Sequence, residues 1–256
     1  MKGTKGMHRV EILNIERNGL NIYGKLYVPS GAEDHPLVIL SHIFGGSSEN
    51  TAAYAEYFAD HGFASFAYDF VGGGNKIRSD GSMTEMSVLT EAADLNTVID
   101  HFLEHFGERS IRIFLFGASQ GGFVSTYVAG SRPDDIAGLV LMYPAFVLQD
   151  DSRRRNPDPD SGPDTMRIMG MRVGRIYDQD AQSFDIYDIM KQYTGKVLIV
   201  HGTADSMAPL SYSERAVETF PDAELVTLEG ADHIFCGKDM EEASRKAVRF
   251  MEDIMG

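Results

Sequence analysis

Along the chain, short runs of aliphatic, β-branched and aromatic residues alternate with stretches whose apolar positions recur every three to four residues. That alternation predicts strands separated by helices, the pattern of an α/β protein. Residues 10–15 and 21–28 flank Asn18-Gly19, a dipeptide suited to a two-residue hairpin, and predict an antiparallel start to a sheet. Residues 37–41 form a continuous apolar run, as expected for a strand covered on both faces. A helix follows over 51–61, ended by Gly62, and then a strand over 64–69.

The clearest amphipathic helix spans 90–106, where Leu95, Val98, Ile99, Phe102 and Phe106 keep helical spacing and Gly107 supplies the stop. Strands are predicted over 111–116, 138–143, 196–201 and 223–228, with helices over 119–129, 211–219 and 239–254. The stretch 145–190 breaks the rhythm. It holds Arg153-Arg154-Arg155, a proline-rich run over 156–163, and Met166, Met169 and Met171. Proline excludes a long helix or a central strand from that run. An interruption of this length inside an α/β domain is usually functional, so 145–190 reads as an insertion capping the C-terminal edge of the sheet; the alternative is a solvated linker.

Composition narrows the function. The formal charge of −15 argues against nucleic acid and against bulk attraction to anionic membranes, both of which need clustered cations. One cysteine, Cys236, excludes an intramolecular disulfide. The basic N-terminal residues lack the apolar run of a signal peptide, and no apolar stretch approaches the ~20 residues that span a bilayer, so the expectation is a cytoplasmic protein.

The chemistry centres on Gly117-Ala118-Ser119-Gln120-Gly121. A Gly-x-Ser-x-Gly directly after a strand and at the start of a helix is a nucleophile elbow, and Ser119 is its nucleophile. Its hydroxyl needs a base, and His233, in the loop after strand 223–228, is the best placed of the histidines. Serine hydrolases with this elbow run Ser, then acid, then His, which points to Asp205, just beyond strand 196–201; its work would be to orient the imidazole. One oxyanion donor is the N–H of Gln120; the other comes from the loop Ser41-His42-Ile43-Phe44-Gly45-Gly46, with Phe44 favoured over Ile43 or Gly45.

Together, His42-x-Phe44-Gly45-Gly46, Gly117-x-Ser119-Gln120-Gly121-Gly122, His201-Gly202-Thr203-x-Asp205 and Gly230-Ala231-Asp232-His233 resemble bacterial cinnamoyl/feruloyl esterases and related carboxylesterases of the α/β-hydrolase superfamily. The likeness runs over nearly the whole chain and is weakest in 145–190. It implies a mostly parallel eight-stranded sheet flanked by helices, one domain over 1–256, and a small lid insertion after strand 6. In that family the residue after the serine and the Phe of a His-Gly-Phe loop donate to the oxyanion, positions that map onto Gln120 and Phe44. Ile43 stands where the family has glycine. Tyr177 resembles a lid tyrosine that meets substrate; Asp150, Asp151 and the arginines are other candidates. The implied activity is ester hydrolysis on a small-molecule substrate, with no metal and no cofactor, in a chain that could form a homodimer. A serine peptidase or amidase of the same fold, and a ligand-binding member without turnover, are the competing readings.

Other motifs carry less. His101-x-x-Glu104-His105 has inverted zinc-protease spacing, but it lies on the helix whose apolar stripe must pack, and no third ligand follows. Gly19-x-x-x-x-Gly24-Lys25 lies in a hairpin and lacks the following Ser or Thr of a phosphate loop. Gly72-Gly73-Gly74 reads as a loop near the site. The three arginines are expected to solvate their loop, with recognition of a substrate carboxylate as the alternative. Cys236 is expected as a small buried hydrophobe.

Overall fold

The computed structural model describes residues 8–31, 35–106 and 111–256. The basic N-terminal stretch before His8 and the helix stop at Gly107 lie outside the described residues. Strands β1 (His8–Arg17) and β2 (Leu20–Pro29) pair antiparallel around Asn18 and Gly19, both at positive φ as the mirror-image turn requires. The chain continues through β3 (Leu37–Ser41), α1 (Ala52–Asp60), β4 (Ala64–Tyr68), α2 (Val88–Phe106), β5 (Ile113–Ala118), α3 (Gln120–Ser131) and β6 (Ile136–Met142). After β6 come α4 (Leu148–Arg155), the short strands β7 (Thr165–Ile168) and β8 (Met171–Gly174), α5 (Ile176–Gln182) and α6 (Ile186–Met190). The last third comprises β9 (Lys196–Gly202), α7 (Leu210–Thr219), β10 (Ala223–Leu228) and α8 (Lys238–Met255).

Eight strands make one sheet in the order β1-β2-β4-β3-β5-β6-β9-β10, parallel from β4 to β10 and antiparallel at β1 and β2. The continuous apolar runs of the central strands follow from two-sided burial. Ile39, Leu115, Leu141 and Ile199 face a core completed by Leu95, Val98 and Ile99 of α2 and Phe123 and Val128 of α3. Their neighbours Val38, Leu40, Phe116, Val140 and Val200 face the opposite core, completed by Tyr54 and Phe58 of α1 and by Ala247 and Met251 of α8. Full burial of one such aliphatic or aromatic side chain is worth about 1.5–3 kcal/mol, so both cores hold the sheet rigid.

This topology decides where a site can form. The chain leaves β3 through α1 toward one face and β5 through α3 toward the other. The strand order reverses between these neighbours, and such a reversal opens a crevice at the C-terminal strand ends.

Segment 145–190 is more structured than its composition suggests. The methionine-rich run forms the β7–β8 hairpin, turning through Met169 and Gly170 at positive φ, while 156–164 carries no helix or strand. Val173, Tyr177, Ala181, Ile186 and Met190 are buried in the α2/α3 core. Gln149 ties the segment internally, donating to the carbonyls of Ala181 (2.8 Å) and Phe184 (2.6 Å) and accepting from Ile186 N–H. The Ser87 hydroxyl, just before α2, donates to Asp180 of α5.

Candidate active site

Ser119 stands between β5 and α3 at φ 52° and ψ −117°, a strained conformation for a residue with a side chain. Its N–H donates to Met142 O (3.0 Å), and its carbonyl accepts from the N–H groups of Gly122 and Ala145 (both 3.0 Å), so neighbouring backbone enforces the bend. Gly121 lets the elbow touch the loop after β3: a Cβ there would overlap the Ser41 carbonyl oxygen and lie 2.6 Å from that of His42. Residues 117–122 are thus locked in backbone contact with the loop carrying Phe44.

The structure brings the three expected side chains together. Ser119 Oγ lies 2.8 Å from His233 Nε2, and His233 Nδ1 lies 2.7 Å from Asp205 Oδ2. The Tyr143 ring, at the end of β6, sits 5.1 Å from the imidazole and backs it. Asp205 Oδ1 accepts from the N–H groups of Met207 (2.9 Å) and Ala208 (2.8 Å). Burial by itself would raise the Asp205 carboxyl; hydrogen bonds from His201, from His233 and from Ala208 N–H outweigh it and hold the group well below the usual carboxylate range. Asp205 therefore stays ionised beside the imidazole.

His201 stands in the motif shared with the esterases but has no role assigned from the sequence; it is fully buried behind Asp205. Its Nε2 faces Asp205 Oδ2 at 3.1 Å and Ala208 O at 2.8 Å, while Nδ1 meets Ser213 Oγ at 2.7 Å. The sequence signal was its place at the end of a buried strand, where a polar ring must find partners.

The loop after β3 is held by His42, which is buried. Its Nδ1–H donates to Ile43 O (2.7 Å), and its Nε2 accepts from Phe70 N–H (3.1 Å). Burial lowers its pKa, which keeps the ring neutral and able to accept. Gly45 bridges to Gly74, so the glycine triplet lies directly against this loop. Phe44 lines the cleft with Ser119, Gln120 and His233. Gln120 opens α3, so its N–H has no intrahelical acceptor and belongs to the positive end of the helix.

The Gln120 side chain is committed elsewhere. Its Nε2 donates to Glu91 Oε2 (2.7 Å), and its Oε1 accepts from the Tyr177 hydroxyl (2.6 Å). Tyr177 therefore presents its ring to the cleft while its hydroxyl is spent on Gln120. Glu91 is fully buried, and burial pushes its carboxyl well above the ordinary range; the Gln120 hydrogen bond opposes this and nearby Asp94 adds to it. Glu91 also escaped sequence reasoning, although it lies four residues before Leu95 on the apolar stripe of α2.

The cleft is open to solvent and mostly apolar, walled by Phe44, Val147, Leu148, Ile168, Met169 and Met207. Asp151 and Arg155, one helical turn apart on α4, are the charged side chains along it. The arginine run is only partly the solvated face expected. Arg153 and Arg154 pair at the surface with Asp150 and Asp151, whereas Arg155 reaches the fully buried Asp178 at 2.5 Å. Asp150 meets the Tyr212 hydroxyl at 2.8 Å, away from the serine. Cys236 corrects another expectation: it is exposed, because Ala231, His233 and Phe235 take the inward positions of that loop. His101 and His105 share a face of α2 with ring centroids 6.2 Å apart, and no third ligand joins them among the described residues. Among the described residues no helix is long and apolar enough to cross a membrane.

Residues 32–179 match the family described as "Serine aminopeptidase, S33", and residues 179–253 match the family described as "TAP-like protein". No curated protein sequence matches the chain. Among solved structures, Est1E from Butyrivibrio proteoclasticus with bound ferulic acid is 26% identical with a TM-score of 0.86; the alignment covers 95% of this chain and 99% of that one. GrgF, an alpha/beta hydrolase from Penicillium sp. sh18, is 18% identical at TM-score 0.78, covering 96% and 99%. Mouse alpha/beta hydrolase domain-containing protein 10 is 17% identical at TM-score 0.73, covering 96% and 98%. These last two likenesses show the fold alone.

Proposed function

The chain belongs to the family described as "Serine aminopeptidase, S33", within the α/β hydrolases, and from that premise we propose that it hydrolyses carboxylic esters through an acyl-enzyme on Ser119. The observation that carries the reading is the unbroken relay Ser119 Oγ, His233, Asp205, with contacts of 2.8 and 2.7 Å, at the floor of a mostly apolar cleft. His233 takes the serine proton as Oγ attacks the ester carbonyl, and ionised Asp205 stabilises the resulting imidazolium. The oxyanion forms against the N–H groups of Gln120 and Phe44, and His233 returns the proton to the leaving alcohol. Water then repeats the cycle on the acyl-enzyme. Segment 145–190 serves as the cap that selects the acyl group. Its apolar wall suits an aromatic acyl group, and likeness to Est1E, which binds ferulic acid, supports hydroxycinnamoyl esters as the first class to assay.

The family description favours a second reading, peptidase or amidase action. An aminopeptidase must hold a substrate ammonium near the serine, which calls for an unpaired carboxylate. The cleft carboxylate Asp151 is paired with Arg154, and the cleft cation Arg155 with the buried Asp178. That balance favours a neutral acyl group. Ester and anilide substrates sharing one acyl group separate the readings: faster turnover of the anilide would replace esterase by amidase. Replacement of Ser119 by alanine is expected to abolish release of 4-nitrophenol from short acyl esters, and failure of a fluorophosphonate probe to label Ser119 would favour a binding protein without turnover.

A further inference from the structure

Tyr177 touches both expected oxyanion residues. Its hydroxyl donates to Gln120 Oε1 at 2.6 Å, and its ring meets the Phe44 ring edge-on with centroids 5.6 Å apart. Beyond Gln120 the chain of contacts ends on Glu91, whose Oε2 accepts from Gln120 Nε2 at 2.7 Å. Glu91, Gln120 and Tyr177 are all buried, and they come from three elements distant in sequence: α2, the start of α3, and α5 of the 145–190 segment. The same segment also presses on the loop after β3, since Met171 fills the space beside Gly45 that a Cβ would need.

We infer that Glu91 and Tyr177 are positioning residues that grip the Gln120 side chain from opposite ends and thereby fix the oxyanion donors at Gln120 and Phe44. The inference rests on the esterase reading and deepens it. A donor must be aimed at the place where charge will develop, and an error of an ångström costs a large part of its effect. Free rotation of the Gln120 side chain would let the first turn of α3 shift; two hydrogen bonds remove that freedom. Tyr177 thus acts through Gln120 and Phe44, and its hydroxyl is not spent on substrate.

Glu91 performs this as an uncharged group. The titratable groups acting on it are Asp94 on its own helix, Tyr68 on β4 and Tyr177 on α5. Asp94 is paired with Arg17, and among the described residues no cation lies within ion-pair distance of Glu91. A buried carboxyl without a cation takes its proton. Burial raises the Tyr177 hydroxyl, which remains a donor throughout. What Gln120 needs from position 91 is therefore a carbonyl-type acceptor, not a charge.

The test is steady-state hydrolysis of 4-nitrophenyl acetate by the full chain, with kcat normalised to sites titrated to completion by a fluorophosphonate. Tyr177→Phe is expected to lower kcat roughly 5- to 30-fold with KM within about twofold, a partial loss of what deletion of one oxyanion donor costs. Glu91→Gln keeps the acceptor and is expected to retain kcat within about twofold, whereas Glu91→Leu is expected to fall as Tyr177→Phe does. A raised KM with unchanged kcat in Tyr177→Phe would overturn the inference, because it would assign that hydroxyl to substrate. Equal losses in Glu91→Gln and Glu91→Leu would overturn the uncharged role. If Glu91→Leu does not fold, Tyr177→Phe and Glu91→Gln still decide. Equal rates in the native chain and Ser119→Ala would sink the esterase reading itself; a dead Ser119→Ala beside an unaffected Tyr177→Phe would sink only the positioning.

Discussion

The floor of the cleft and its roof are built by different physical means. The floor consists of loops at the ends of β3, β5, β6, β9 and β10, fixed by backbone contacts and anchored in a sheet buried on both faces. The roof is a segment of short helices and one hairpin, fixed by side chains: Gln149 on its own carbonyls, Arg155 on Asp178, Tyr177 on Gln120. Backbone constraint leaves little choice of residue or angle. Side-chain constraint leaves much more, so under the proposed function chemistry falls to the floor and selectivity to the roof.

Four substitutions can break or sharpen that contrast. The largest effect is expected for Asp205→Asn, which keeps the shape of the floor but removes the charge that supports the imidazolium; kcat should fall by on the order of 10⁴. A loss below about tenfold would mean that another group orients His233. Gly121→Ala is expected to follow, because its Cβ meets main chain at Ser41 and His42 that cannot rotate away. Activity should drop at least about a hundredfold, by the cost of misplacing reacting groups, alongside a lower Tm. Unchanged activity and Tm would show that the floor yields. Met169→Ala, in the roof, should instead alter KM several-fold, differently for long and short acyl groups, and leave kcat within about threefold; a kcat loss as large as that of Gly121→Ala would erase the distinction.

The last effect is on stability alone and is a matter of pH. Burial pushes Asp94 up to about 6 against the opposing pull of Arg17 and Val71 N–H. A carboxyl whose folded pKa is raised favours the folded state most below its unfolded pKa, and that advantage is lost as pH rises through the folded value. Stability should therefore fall by about 3 kcal/mol from this group between pH ~4 and ~6. Asp94→Asn should flatten that slope in denaturant titrations, whatever it does to stability at one pH; an unchanged slope refutes the assignment.

Legibility in the sequence followed the same division. The run at 37–41, the turn at Asn18-Gly19 and the elbow at Gly117–Gly121 announce themselves because local conformation and two-sided burial fix them, and the structure places Ser119, His233 and Asp205 within contact of one another. The β7–β8 hairpin was missed because four-residue strands outside the main sheet leave too short a pattern to read. Arg155 could not be separated from Arg153 and Arg154 without knowing which side of α4 faces the cleft. Glu91 and His201 were hidden for a different reason: a buried polar group is intelligible only through partners far away in the chain, here Gln120 for one and Asp205 and Ser213 for the other.

The hydrogen bond from Tyr177 to Gln120 has a consequence for modular exchange. Grafting a different roof between β6 and β9, by recombination or by design, transplants more than a pocket lining. The incoming segment must deliver a hydroxyl donor to one amide oxygen on the floor. A roof chosen only for the shape of its substrate would leave that oxygen buried and unpaired. Compatible roofs would share this single docking atom even where nothing else in their sequences agrees.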